Sequence, residues 1–167
     1  GVGAALTTAL ATPVVRRAAA KAGLVVAPDD RYVHDHVTPT LGGLAMFAGL
    51  VVGLGVAWGV GDFSAVFATP TEMIGLLLAA ALICAVGTLD DVRPVSAPAK
   101  VAGMVAAGAV LSLAGVSLLV LRLPFLDMIL LSPDLSALFT VVWVVLIANA
   151  VNLIDGLDGL AAGIIGI

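Results

Sequence analysis

The sequence predicts an all-α polytopic membrane protein, a transmembrane helix bundle with a short extracytoplasmic β-hairpin. Three features carry this. Of the 167 residues, 62% are hydrophobic and only 11% charged, with a mean hydropathy of +1.23. A soluble domain averages about 45–50% apolar and about 25% charged residues. The apolar residues gather into runs near the roughly 20 that a spanning helix needs, and the charges collect between those runs. A soluble globular domain is excluded, and residues 1–167 read as a single transmembrane domain.

Residues 1–15 have neither the basic start of a signal peptide nor the length of a full span, and read as the remainder of a first helix. Spans are expected at residues 41–60, 73–89, 101–121 and 135–148, the last running on toward Asn152. A further helix begins near Leu160. With no initial methionine and an end inside a new apolar run, the chain is expected to be the N-terminal part of a longer protein, with about five spans plus the start of another. Gly49, Gly53, Gly103 and Gly108 suit close contacts between packed helices. Cys84, the one cysteine, lies within a span and reads as a small buried thiol, so no disulfide framework is expected.

The segment "SLLVLRLPFLDMILLS", residues 117–132, is apolar yet interrupted by Arg122, Pro124 and Asp127. A residue before proline is pushed toward extended backbone. A short strand pair outside the membrane is therefore expected, with a ragged helix end as the alternative.

Basic residues set orientation. Arg16, Arg17, Lys21 and Arg31 lie in the first loop and Arg93 and Lys100 in a later one, while Arg122 alone falls on the opposite side. Six of the seven thus share one face, expected to be cytoplasmic. With alternating spans, Asp90, Asp91, Asp155 and Asp158 meet on that face.

Asp62, Glu72, Asp127, Asp134, Asp29 and Asp30 sit in loops and read as solvated. Asp90 and Asp91 differ because they fall at a helix C-terminus, where the helix dipole disfavours negative charge and two adjacent carboxylates repel each other. A cation between them reverses both penalties. In "NAVNLIDGLDG", Asn149, Asn152, Asp155 and Asp158 recur every third residue, a slanting polar stripe if the segment is helical. A polar network between helices is the structural alternative. No lysine or arginine follows Arg122, so the positive charge missing from this stripe is expected from Mg²⁺, a hard ion that takes carboxylate oxygens together with substrate phosphates. A zinc set of Cys and His is lacking. In "RYVHDHVTPTLGG", His34 and His36 are either solvated or ligands. Pro39 and then Gly42-Gly43 suggest a turn feeding a helix whose free N–H groups suit an anion such as phosphate. Lys100 opens the next helix from the same face.

Three blocks in order, "RYVHDHVTPTLGG", "GTLDDVRPVSAPAK" and "NAVNLIDGLDGLAAG", give the chain a resemblance to the polyprenyl-phosphate N-acetylhexosamine-1-phosphate transferases, of the undecaprenyl- or decaprenyl-phosphate GlcNAc-1-phosphate type in glycosyltransferase family 4. The resemblance runs over nearly the whole chain. The first block departs from the family pattern at Asp35 and His36, where lysine is frequent, and at Thr40, where many members have arginine. The short spacing from Asp91 to Lys100 and Ile154 before Asp155 favour the GlcNAc branch over its cousin, the phospho-N-acetylmuramoyl-pentapeptide transferases, toward which "TPTLGG" leans.

The resemblance implies a Mg²⁺-dependent transferase, with Mn²⁺ a substitute, in which a polyprenyl phosphate attacks the sugar-linked phosphorus of a UDP-N-acetylhexosamine and UMP leaves. It implies catalytic roles for Asp90, Asp91, Asp155 and Asp158, with Asp90, Asp91 and Asp155 on the metal. Asn149, Asn152, Lys100, His34, Gly42 and Gly43 are assigned to substrate. The expected setting is the bacterial inner membrane with the active face cytoplasmic, and no nucleic-acid partner. A second copy of the chain is a candidate partner, and this half alone is expected to be inactive. A cation transporter, the rival class, would carry carboxylates near the middle of spans.

Overall fold

The computed structural model describes residues 1–21, 23, 25–26, 38–39, 41–60, 67–122 and 128–154. Five helices dominate: α1 (Val2–Lys21), α2 (Gly42–Val60), α3 (Pro70–Val92), α4 (Ala97–Leu113) and α5 (Pro133–Ile154). Two small antiparallel pairs accompany them, β1 (Val25–Val26) with β2 (Thr38–Pro39), and β3 (Val120–Arg122) with β4 (Met128–Leu130). Helices α2, α3 and α5 are long and apolar enough to cross a membrane. Helix α4 is an apolar helix of 17 residues, at the lower limit for a span.

Burial is inverted relative to a water-soluble bundle. The buried apolar residues are alanines, Ala19, Ala45, Ala79 and Ala107, whereas Trp143, Leu146 and Leu78 are more than half exposed. Lipid tails are as apolar as leucine, so helices associate in a membrane through close backbone approach rather than by withdrawing large side chains from water. The contacts follow that rule. A Cβ on Gly53 would stand 2.8 Å from Ala4 Cβ, and one on Gly49 would collide with the Thr8 side chain, so α1 packs antiparallel on α2. A Cβ on Gly103 would meet Val86 at 2.5 Å, which sets α4 against α3. At Gly108 the neighbour is backbone, Val141 Cα, 2.8 Å from where a Cβ would be, and this pins α4 to α5. Each helix thus packs antiparallel on the next in the chain, with α2 and α3 the most loosely joined pair.

The expected span at 101–121 is too long. Helix α4 stops at Leu113, where Gly115 adopts φ 95°. Its N–H donates to Ser112 O at 3.1 Å and that of Val116 to Leu111 O at 3.0 Å. This Schellman closure satisfies the last carbonyls and reverses the chain. The strand pair expected within 117–132 follows, with Val120 opposite Leu130 and Arg122 opposite Met128. Thr140 ties the segment to α5: its Oγ1 accepts the Leu118 N–H at 2.9 Å and donates to Ser136 O at 2.7 Å.

The expected first-helix remainder at 1–15 also falls short, because α1 continues through Arg16, Arg17 and Lys21. Long basic side chains at a helix end reach toward water while their stems stay on the apolar side, so these charges do not end the helix. The β1–β2 pair lies in a segment read as loop. A two-residue strand ending at Pro39 has no alternating pattern to betray it. The expected extension of α5 toward Asn152 is present, and the helix near Leu160 lies outside the described residues.

Candidate functional site

Antiparallel packing gathers the end of α1, the start of α2, the end of α3, the start of α4 and the end of α5 at one end of the bundle. Arg16, Arg17, Lys21, Arg93 and Lys100 are all at that end, and Arg122 is in the hairpin at the other. Arg31 lies outside the described residues.

The α3–α4 connection is built around Asp90. Arg93, held before Pro94, is extended at φ −145° and ψ 130°, which ends α3. The Asp90 Oδ1 then accepts the Val95 N–H at 3.0 Å, closing the turn. Ser96 follows as the N-cap of α4, its carbonyl accepting the N–H groups of Ala99 and Lys100 at 3.0 and 3.1 Å. Lys100 extends its ammonium to Asp90 Oδ2 at 2.7 Å, both side chains about one-third exposed. Carboxylates at the end of α3 and a lysine in the first turn of α4 each oppose the dipole of their own helix. Paired across the turn, they offset each other. Part of the positive charge that the sequence assigned to a metal is therefore supplied to Asp90 by Lys100.

Asp91 turns elsewhere. Its Oδ2 accepts the backbone N–H of Leu41 at 2.8 Å, fifty residues earlier, immediately before Gly42 and Gly43 begin α2. Leu41 has φ 73°, and it is the non-glycine residue among those described with positive φ. Gly42 and Gly43 are exposed, and among the described residues a Cβ built on either would meet nothing within 4 Å. Beside them, between α2 and α3, runs an apolar groove lined by Leu44, Phe47, Cys84, Thr88, Leu89 and Val92. Cys84 is half-buried in that groove rather than in a core.

Asn149 is half-buried near the end of α5. Its Nδ2 donates to Val145 O at 2.8 Å and approaches Met104 Sδ at 3.3 Å, one turn beyond Lys100 on α4. Asn152 is exposed in the last turn of α5. Asp90 is thus joined to Lys100, and Asp91 to Leu41, the residue before Gly42 and Gly43; Asn149 and Asn152 lie at the same end of the bundle. Asp155, Asp158, His34 and His36 lie outside the described residues. Among the described residues no three of His, Cys, Asp and Glu gather as a metal cluster.

Sequence reasoning missed two members of this arrangement. Val95 carried a signal, because a proline after Arg93 forces a tight turn within reach of the preceding helix end. Leu41 carried none, since leucine is a poor choice for left-handed backbone.

Fold and site define a polytopic membrane protein with a charged cluster at one end of its helices. Residues 73–167 match the family described as glycosyl transferase family 4, and the chain belongs to it. It is 40% identical over 166 residues to a decaprenyl-phosphate N-acetylglucosaminephosphotransferase of Mycobacterium tuberculosis, covering 98% of this chain and 41% of that one. It is 38% identical to a probable undecaprenyl-phosphate N-acetylglucosaminyl 1-phosphate transferase of Bacillus subtilis, over 95% of this chain and 42% of the relative. To the undecaprenyl-phosphate alpha-N-acetylglucosaminyl 1-phosphate transferase of Escherichia coli K12 it is 29% identical, over 95% and 41%. The chain therefore spans about two fifths of the length of these relatives. No solved structure matches it.

Proposed function

We propose that the full-length protein transfers N-acetylhexosamine 1-phosphate, specifically GlcNAc 1-phosphate, from a UDP-sugar to a polyprenyl phosphate, forming the first lipid-linked intermediate of a cell-envelope polysaccharide. The observation that carries this reading is the joining of Asp90, Asp91, Lys100 and the start of α2 at one end of a membrane bundle. The chain's relatives are named as decaprenyl- and undecaprenyl-phosphate N-acetylglucosamine phosphotransferases, which supports the substrate classes. Such a site suits one substrate dissolved in the cytoplasm and another anchored in the bilayer. Transport of a cation through the bundle is disfavoured, because the carboxylates among the described residues all lie in the terminal turns of α3 and α5.

In this reaction an oxygen of the acceptor phosphate forms a bond to the sugar-bearing phosphorus. The bond from that phosphorus to the bridging oxygen breaks, and UMP leaves with the electron pair. Phosphoryl transfer needs positioning and charge neutralisation more than covalent help. The donor chemistry fits a hard ion: Asp91 Oδ1 has no protein partner among the described residues, and Asp155 is a further carboxylate. Bound Mg²⁺, or Mn²⁺ in its place, would neutralise diphosphate charge. Asp90, Asp91 and Asp155 are assigned to hold it, the Asp90–Asp91 pair alternatively to activate the acceptor phosphate. Lys100, His34, and the N–H groups of Gly42 and Gly43 are assigned to phosphate, and Asn149, Asn152 and Asp158 to the nucleotide-sugar.

The test is a mass-spectrometric product assay on full-length protein with several UDP-sugars and a polyprenyl phosphate. UMP and a polyprenyl diphosphate sugar are expected, and transfer of sugar without phosphate would refute the reading. Orientation has its own check. In a Cys84→Ala background, single cysteines at Thr38, Ser96 and Gly159 are expected to resist membrane-impermeant thiol reagents in intact bacteria. Labelling of the Ser96→Cys variant from outside would place the cluster on the wrong side for a cytoplasmic nucleotide-sugar.

A further inference from the structure

We infer that Asp91 is a positioning residue: its carboxylate latches Leu41 in left-handed backbone, fixing the N–H groups of Gly42 and Gly43 beside the Asp90–Lys100 pair. For its kinetic consequence this rests on the proposed transfer reaction; the latch itself does not.

Leu41 lies at φ 73°, a region disfavoured for leucine by roughly tenfold. Nothing in its own short-range sequence requires this, since glycine stands at the next two positions rather than at 41. What holds it is distant in sequence. The Leu41 N–H points to Asp91 Oδ2 at 2.8 Å, and its carbonyl accepts the Leu44 N–H at 3.1 Å, closing the first turn of α2. Leu41 is therefore gripped on both sides, by α3 through its N–H and by α2 through its carbonyl. Between those grips are Gly42 and Gly43, whose N–H groups have no acceptor within the helix. The direction in which those groups point is set by the backbone at Leu41. Because α2 and α3 are otherwise the most loosely joined neighbours, this bond is a principal tie between them at the end where the cluster lies. Among the described residues Asp91 accepts through Oδ2, so the latch does not occupy Oδ1.

The experiment uses full-length protein and compares Asp91→Asn, Asp91→Ala, Leu41→Gly and the doubles. Asparagine keeps an oxygen that accepts the Leu41 N–H, and alanine does not. Amide exchange at Leu41, followed by mass spectrometry on peptides covering residues 38–44, is expected to quicken by about tenfold in Asp91→Ala, the loss of one hydrogen bond to a charged acceptor, and by only a few-fold in Asp91→Asn, whose neutral amide oxygen still accepts the N–H. In the transfer assay, Asp91→Ala is expected to lose a further roughly tenfold in kcat/KM beyond Asp91→Asn, the excess falling in KM. Leu41→Gly, which enters left-handed backbone without penalty, is expected to recover about fivefold in the alanine variant and less than twofold in the asparagine variant. Equal exchange in Asp91→Ala and wild type would overturn the latch. Altered exchange with identical kinetics for the two Asp91 variants, or no recovery by Leu41→Gly, would overturn its positioning role. Expected exchange in a protein that transfers nothing would refute the proposed reaction and leave the latch standing.

Discussion

Asp90→Asn in the full-length protein is expected to lower kcat by about 10²–10³-fold while leaving the unliganded protein folded. The two oxygens of Asp90 are engaged, one by the Val95 N–H and one by the Lys100 ammonium. Asparagine can keep the Val95 bond with its oxygen, but its NH₂ then faces Lys100 and repels it. A pair about one-third exposed contributes at most about 1 kcal/mol to stability, which corresponds to roughly fivefold. A loss of 10²–10³ corresponds to about 2.7–4 kcal/mol. Magnitude therefore separates the two roles. If Asp90 only closes the α3–α4 turn, kcat falls by a few-fold alongside a small drop in Tm. If it acts on the reacting phosphates, kcat collapses with Tm nearly unchanged. Near-normal turnover in Asp90→Asn would reduce the carboxylate to a turn residue. Measuring kcat and Tm on the same preparation gives the decision.

The parts of this structure that depend on local composition were legible in the sequence, and the parts that depend on distant contacts were not. Apolar runs placed α2, α3 and α5 because a spanning helix must satisfy its backbone internally and face lipid with apolar side chains. Pro124 betrayed the hairpin, since proline and the residue before it do not continue a helix. The end of α4 was lost because "VSLLVL" after Gly115 is as apolar as the helix before it, and hydropathy does not register a chain reversal made by two backbone hydrogen bonds. Gly108 was legible as a contact residue, but not its facing backbone at Val141. In the site, the sequence put Asp90 and Lys100 on one face at short spacing, but it assigned Asp90 to a metal and Lys100 to substrate, and their ion pair is a finding of the structure. The bond from Leu41 to Asp91 joins residues fifty apart through a backbone conformation that leucine avoids, and no pattern of residue types encodes it.

The other large effect concerns the stripe formed by Asn149, Asn152, Asp155 and Asp158. Full-length protein is expected to gain thermal stability from UDP-sugar together with Mg²⁺, and little from either alone. No lysine or arginine follows Arg122 in this chain, so Asp155 and Asp158 have no basic neighbour in sequence to neutralise them. A metal-bearing diphosphate brings that charge. It also brings phosphate oxygens, which the metal must screen before they can approach carboxylates. The gain follows RT ln(1 + [L]/Kd), about 2.7 kcal/mol at a hundredfold excess over Kd, a shift of several degrees at most for a membrane protein of the relatives' length. Asp155→Asn is expected to lose most of this gain, because a neutral amide oxygen is a weaker donor to a hard divalent ion, while the unliganded Tm stays within about a degree of wild type. Asn149→Ala serves as the contrast. Its Nδ2 is bonded to Val145 O and approaches Met104 Sδ, so its removal is expected to lower the unliganded Tm as well as to weaken the ligand gain. Should Asp155→Asn behave in the same way, and wild type show no Mg²⁺-dependent shift, the stripe is a packing network between helices, and the nucleotide-sugar must be held by other residues of the full-length protein.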